Sequence, residues 1–206
     1  MITLHSILFE AHSELSEVTT TIDEVQQVFM HFHLSRKFLG EPTFTFTPRT
    51  PSLPYQDHDG NTIEDDFTPR ISLTADIEDA RDALQGYGAT YFYIYAVQQD
   101  NNIEQVENNI PDCPESYNAK FNMKKWLRKT SPNTLQTYKP SEEIKPSTLP
   151  PNLKTKFAGC VPDAEETHEE WSREPLRMLF IGTIGEAGDI VHLSTEAARI
   201  MAPRAI

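Results

Sequence analysis

Thr90-Tyr-Phe-Tyr-Ile-Tyr-Ala-Val97 is the stretch on which the fold turns. It holds no charge, glycine or proline, and its aromatic and β-branched side chains suit a pleated backbone. It is apolar on both faces, so the pattern predicts a central strand. A second run, Leu176-Arg-Met-Leu-Phe-Ile-Gly-Thr-Ile184, predicts another buried strand. Working outward, Arg70-Ile-Ser-Leu-Thr74 reads as a short strand that leads into a helix over residues 75–85. Asp76 is placed to cap that helix, Ile77, Ala80 and Leu84 form its apolar stripe, and Gly86 ends it. Thr43-Phe-Thr-Phe-Thr47 alternates as a half-buried strand does. Val28-Phe-Met-His-Phe-His33 is aromatic and β-prone and reads as a strand, while Thr21-Ile-Asp-Glu24 fits a helix capping box just before it. Residues 48–66 form a loop with three prolines and the turn Asp57-His-Asp-Gly-Asn61. Residues 189–200 are a hairpin return or a final short helix. Short strands with few helices give an α+β domain built on a curved, mostly antiparallel sheet.

Composition bounds the function. The chain has 206 residues, 38% hydrophobic and 24% charged, which fits a single domain with one elaboration. Its 18 basic and 31 acidic residues give a net charge of −13, which repels phosphate backbones and disfavours generic nucleic-acid binding. The charge is uneven. Residues 119–157 carry nine basic and two acidic side chains, a local +7 that leaves −20 on the remainder. Seven of the 15 prolines fall in residues 111–151. We therefore expect one domain over 1–206, with an N-terminal extension at 1–27 and a Pro-rich, basic, mostly irregular insertion at 100–159 holding one helix at 118–129. Mean hydropathy is −0.50 and no apolar run approaches a membrane span. The N-terminus has no basic n-region and meets Glu10 early, unlike a secretory signal. Cys113 and Cys160, alone, point to two free thiols in a reducing, cytoplasmic setting, the alternative being one disulfide in a secreted protein.

Familiar catalytic signatures are missing: no phosphate loop ending in Lys-Ser/Thr, no G-x-G-x-x-G after a strand, no H-E-x-x-H and no G-x-S-x-G. His31 and His33, two apart on an expected strand, share one face, but no third ligand is aimed at them, even with His58 and His168 available, so no metal is expected. Arg70, Ser72 and Thr74 alternate along one strand face, where a guanidinium and two hydroxyls suit a phosphate or ribose, or pair across strands at a wet edge. Asp163-Ala-Glu-Glu-Thr-His-Glu-Glu-Trp171 is an acid-rich loop at a strand end: a source of a catalytic carboxylate, or a solvated charge run. Phe44, Phe46, Tyr91, Tyr93 and Tyr95 read most simply as sheet core. The cluster Lys124, Lys125, Trp126, Arg128 and Lys129 suits an acidic partner, or is an exposed helix with one buried face.

Three segments in order resemble the ADP-ribosyltransferase fold, and within it the small rifampin-modifying enzymes and related phage and prophage domains. They are His33-Leu-Ser35, then Ser72-Leu-Thr-Ala-Asp-Ile-Glu-Asp-Ala80 followed by the strand at 91–97, then Trp171-Ser-Arg-Glu-Pro-Leu-Arg177 running into 178–184. The last is the most specific, and the likeness covers roughly residues 28–97 and 163–184. Leu34 stands where the family places glycine. The resemblance implies two small, mostly antiparallel sheets around a cleft with few helices. It implies NAD as the substrate-cofactor, with His33 on the ribose, Ser35, Arg36, Tyr55, Arg70, Ser72 and Thr74 shaping the pocket, and an acid from the 163–170 loop steadying the oxocarbenium-like ribose. Glu169 is the first choice for that acid and Asp163 the second.

The leading expectation is therefore a phage-type transferase that moves ADP-ribose from NAD to a host protein or protein–nucleic-acid complex, without membrane contact, in a counter-defence setting. The rival is a non-enzymatic acidic inhibitor whose −20 body imitates nucleic acid while the basic insertion selects the partner. Hydrolysis of NAD without an acceptor would use the same site.

Overall fold

A computed structural model describes residues 15–52, 54–84, 89–97, 104–105, 114, 120–162 and 169–202. The chain divides into two compact units, the first formed by Met1–Thr47, Ser72–Ile103 and Pro175–Ile206, the second by Pro48–Ile71 and Glu104–Glu174. The fold is α+β, with a mostly antiparallel sheet and few helices.

The first unit is built on the two strands predicted as central. β5 (Tyr91–Val97) and β8 (Leu176–Gly185) pair antiparallel along their lengths. Outside them lie β9 (Ile190–Ser194) and β1 (Leu15–Thr21) on one side, and β2 (Phe32–Ser35) and β4 (Ile71–Thr74) on the other. β3 (Thr43–Phe46) joins the first half of β8. Within this unit the strands form one sheet rather than two small ones. The residues expected as an N-terminal extension include β1, which is hydrogen-bonded to β9.

Three helices cover one face of this sheet. α1 (Ile22–Gln26) starts in a complete capping box between Thr21 and Glu24. α2 (Ile77–Ala83) starts at Asp76, whose carboxylate accepts from Glu78 N at 2.7 Å and Asp79 N at 3.4 Å. α6 (Thr195–Met201) is capped by Ser194; the return after β8 is thus both a hairpin strand and a helix. Ile22, Val25, Ile77 and Ala197 pack on Phe32, Phe92, Ile94, Ile181 and Leu193 as a single core. Alternation along β5 sends Tyr93 and Tyr95 to the other face, where they join Phe38, Phe44, Phe46, Phe180 and His33 in an aromatic cluster with ring centroids 4.6–6.3 Å apart. Tyr95 and Phe46 are buried, Phe44 and Tyr93 half-buried, and Tyr91, expected in the core, is 55% exposed.

Two local expectations fail here. The strand expected over 28–33 begins only at Phe32, because the chain turns at His31, which sits at φ +53. His31 and His33 therefore do not alternate along a common strand. β8 carries a bulge opposite Ile94 and Tyr95, and Gly182 in it adopts φ +156.

The second unit contains the Pro-rich segment, and its described residues from 120 onward form short helices and turns. α3 (Met123–Thr130), α4 (Pro132–Leu135), α5 (Pro151–Lys154) and two 3-10 turns (Pro146–Thr148 and Thr155–Phe157) enclose their own core. Ile63, Phe121, Met123, Leu127, Ile144, Leu153 and Phe157 are its buried members. Pro132, Pro146 and Pro151 stand in the first turns of their helices, where a missing N–H costs nothing. The two-residue strand β6 (Glu104–Gln105) pairs with β7 (Glu169–Ser172). Cys160 is disulfide-bonded, which corrects the expectation of two free thiols; the chain's one other cysteine, Cys113, lies outside the described residues. A disulfide also removes the support that free thiols lent to a reducing compartment. No helix among the described residues is long and apolar enough to cross a membrane.

Candidate functional site

In the first unit the site candidates gather around the junction of β2 and β4. The two strands meet antiparallel, with Phe32 opposite Thr74. Across that seam His33 Nδ1 lies 2.9 Å from the Ser72 carbonyl oxygen. A carbonyl only accepts, so Nδ1 carries the proton and Nε2 of the neutral ring is left as an acceptor. The imidazole rests edge-on against Phe46 at 4.6 Å. Burial holds the His33 pKa below the ordinary histidine value, and the Ser72 carbonyl opposes this only in part. The result is an oriented, half-buried, neutral imidazole beside the exposed Ser72.

The other candidates of this unit serve the backbone. Ser35 Oγ donates to the Lys37 carbonyl at 2.7 Å and accepts from Lys37 N, closing the turn after β2 and leaving Arg36 exposed. Thr74 Oγ1 donates to the Asp76 carbonyl and accepts from Asp76 N, so it fixes the entry to α2. Thr74 is 4% exposed. The structure thus brings His33 and Ser72 together and makes Ser35 and Thr74 local clamps.

Sequence reasoning missed Tyr95 as a site-supporting group. Its buried hydroxyl accepts from Leu39 N at 2.9 Å and also from the Gly40 amide, and burial raises its pKa. It pins the loop between β2 and β3 against the aromatic cluster that carries His33. The alternation in 91–97 puts Tyr95 two residues from Tyr93, but its backbone partners lie over fifty residues away and leave no local signal.

In the second unit Arg70 and Glu169 meet on Trp171. The Arg70 guanidinium stacks over the indole, 4.0 Å from its centroid, and forms an ion pair with Glu64. Arg70 Nη1 also donates to the Asp65 carbonyl at 2.7 Å. Glu169 Oε1 accepts from Trp171 Nε1 at 2.7 Å. Trp171 is 2% exposed, so its N–H needs that acceptor. Tyr55 is partly exposed, its backbone tied to Glu64 and Ile63. Asp163 and His168 lie outside the described residues.

Acids near the turn at 57–61 face inward. Asp57 is 7% exposed and accepts from Asp59 N, Asn61 N and Asn61 Nδ2, and through its other oxygen from Met123 N. It thereby ties the loop to the start of α3. Asp65 accepts from Phe67 N, Thr68 N and Gly159 N. On α3 the predicted partner-binding residues divide by face. Trp126 turns toward Phe121 and Phe157, Lys124 reaches the Pro140 carbonyl at 3.3 Å, and Lys125, Arg128 and Lys129 are exposed. Among the described residues no group of three or more His, Cys, Asp or Glu is placed to hold a metal ion.

Comparison with family models, with curated proteins and with solved structures finds no match to this chain.

Proposed function

We propose that the protein is an ADP-ribosyltransferase-like enzyme that takes NAD as substrate and transfers ADP-ribose to a host macromolecule, in the phage counter-defence setting its sequence resemblance implies. The observation that carries this reading is the His33–Ser72 contact across β2 and β4. It presents Nε2 of a neutral imidazole as a hydrogen-bond acceptor, which is what a ribose hydroxyl requires. The order of elements agrees: the His33 strand, the Ser72 strand with its helix α2, then β5 and β8. In this reading Ser72 supports the pocket, and the sequence resemblance alone gives Glu169 as the carboxylate that steadies positive charge on the ribose as nicotinamide leaves.

The test is incubation of the purified protein with labelled NAD and a bacterial lysate, beside His33→Ala and Glu169→Gln. Label on a discrete band, lost in both variants, is the expected result. His33→Ala should weaken NAD binding about tenfold, the worth of one hydrogen bond at a desolvated site. Free ADP-ribose without labelled protein would make the chain a hydrolase on the same site. No label, no NAD consumption and no NAD binding by the folded protein would refute the enzyme reading.

A second reading, a non-enzymatic inhibitor on this scaffold, is favoured by one observation. Arg70 and Glu169, which the enzyme reading needs at the ligand, already satisfy Glu64 and Trp171. That reading expects NAD to be ignored and a host complex to be bound.

A further inference from the structure

On α3, Lys125, Arg128 and Lys129 are exposed, while the described acids of residues 119–157 are engaged elsewhere. Between residues 119 and 157 the two acids are occupied: Glu143 holds Lys145 at 3.2 Å and accepts from Thr62 and Gln56, and Glu142 accepts from Lys139 N. Asp57 and Asp65 are buried on backbone amides, and Asp66 is spent on Ser147. The cations point outward instead. Lys125, Arg128 and Lys129 are three and four residues apart, so they share one face of α3, opposite the buried Met123 and Leu127. The contact of Lys124 with Pro140 brings Lys139 to one flank of the helix. The ring contact between Trp126 and Phe157, at 5.3 Å, brings Lys156 to another. Like charges at these spacings destabilise a helix, so α3 is held by its cap and its apolar face, and not by its charges.

We propose that this face of α3 binds a short acidic polypeptide segment of a partner protein. The occupant follows from charge and size. Eight residues of helix span about 12 Å, which matches roughly four residues of extended peptide. A nucleic acid would run past that length onto a chain whose net charge is −13. A short run of Asp and Glu is long enough to span Lys125, Arg128 and Lys129. The proposal does not depend on NAD binding and goes beyond the transferase reading.

Two probes of nearly equal charge test it on the full-length protein: fluorescein-labelled octaglutamate and fluorescein-labelled octathymidylate, read by anisotropy at about 0.05 M and about 0.3 M salt. Octaglutamate is expected to bind at low salt, to weaken as salt rises, and to bind more tightly than octathymidylate. The triple variant Lys125→Glu, Arg128→Glu, Lys129→Glu should bind about tenfold more weakly. The triple variant Lys37→Glu, Arg177→Glu, Arg199→Glu changes net charge equally and should bind as the wild type does. Circular dichroism checks that both variants fold. Equal loss in both variants would show a net-charge effect and overturn the site. Tighter binding of octathymidylate would overturn the peptide assignment in favour of a phosphate chain. Salt-sensitive dimers seen by sedimentation and lost in the α3 variant would assign the face to a second copy of this chain. No binding of octaglutamate at either salt would end the proposal.

Discussion

Gly182→Ala is the perturbation that most directly examines the sheet holding the candidate site. A Cβ built at Gly182 would lie 2.1 Å from the His192 carbonyl oxygen, 2.9 Å from its carbon and 3.0 Å from Leu193 Cα. All three are backbone atoms, so no rotamer change relieves the clash; β9 must move away from β8 or the bulge must open. Gly182 pairs with both Leu193 and Ile94, so either movement disturbs the two ladders that flank β8. Its φ of +156 adds a conformation that L side chains avoid. Overpacking that side chains can absorb costs about 1–3 kcal/mol, and a backbone clash belongs at or above the top of that range, so we expect a loss of about 3–5 kcal/mol. With a urea m-value of about 2–3 kcal/mol/M, that lowers the midpoint by roughly 1–2.5 M. Gly188→Ala is the control: its φ is +104, but nothing lies within 4 Å of the added methyl. It should cost about 1 kcal/mol from backbone strain alone. Equal midpoint shifts for the two variants would refute the bulge and the β8–β9 register around it.

Three further outcomes follow from other parts of the molecule. The His33 pKa, measured by NMR titration, should fall below about 6.5; because the folded value is the lower one, the unfolded chain binds the extra proton, and stability is lost as pH falls from the unfolded value toward the folded one. Asp57→Ala strips the acceptor from Asn61 N and Met123 N, both buried, and should destabilise the second unit by about 2–4 kcal/mol, seen as an earlier thermal transition by circular dichroism. Thiol titration of the unreduced protein should find no reactive Cys160, and reductant should lower the denaturation midpoint by the equivalent of about 2–4 kcal/mol.

Capping and strand signals were readable because they are local. Thr21 with Glu24, Asp76 before α2, and the runs at 91–97 and 176–184 all concern neighbours along the chain. Residues 28–31 misled because aromatic and branched side chains suit a strand wherever they stand, while the turn at His31 depends on the helix α1 that precedes it and β2 that follows. The Pro-rich segment misled for a different reason. Three of its prolines open short helices or turns, and its buried residues, Met123 and Leu127, then Leu149, Leu153 and Phe157, recur four apart only within pieces too short to stand out among the prolines. In the site, His33 was legible as a residue, but its partner is a backbone carbonyl thirty-nine positions away, which no pattern of side chains displays. The disulfide at Cys160 was likewise hidden, since two cysteines are compatible with either redox state.

Glu169 carries two jobs that a careful pair of substitutions separates. Its carboxylate accepts from the buried indole of Trp171, beneath which Arg70 is stacked, so one role is to hold β7 in order. The proposed second role needs its negative charge near the ribose. Glu169→Ala removes both and leaves a buried N–H without an acceptor, a cost of about 1–3 kcal/mol. Glu169→Gln keeps an amide oxygen for the indole and removes only the charge, so its melting temperature should stay within about 4 °C of the wild type. Should the charge act on the ribose, Glu169→Gln loses transfer by about a hundredfold to a thousandfold while remaining folded. A Glu169→Gln protein that transfers at the wild-type rate, with only Glu169→Ala impaired, would reduce Glu169 to a support for Trp171. The acid would then have to come from elsewhere in the 163–170 loop, with Asp163 the next residue to replace.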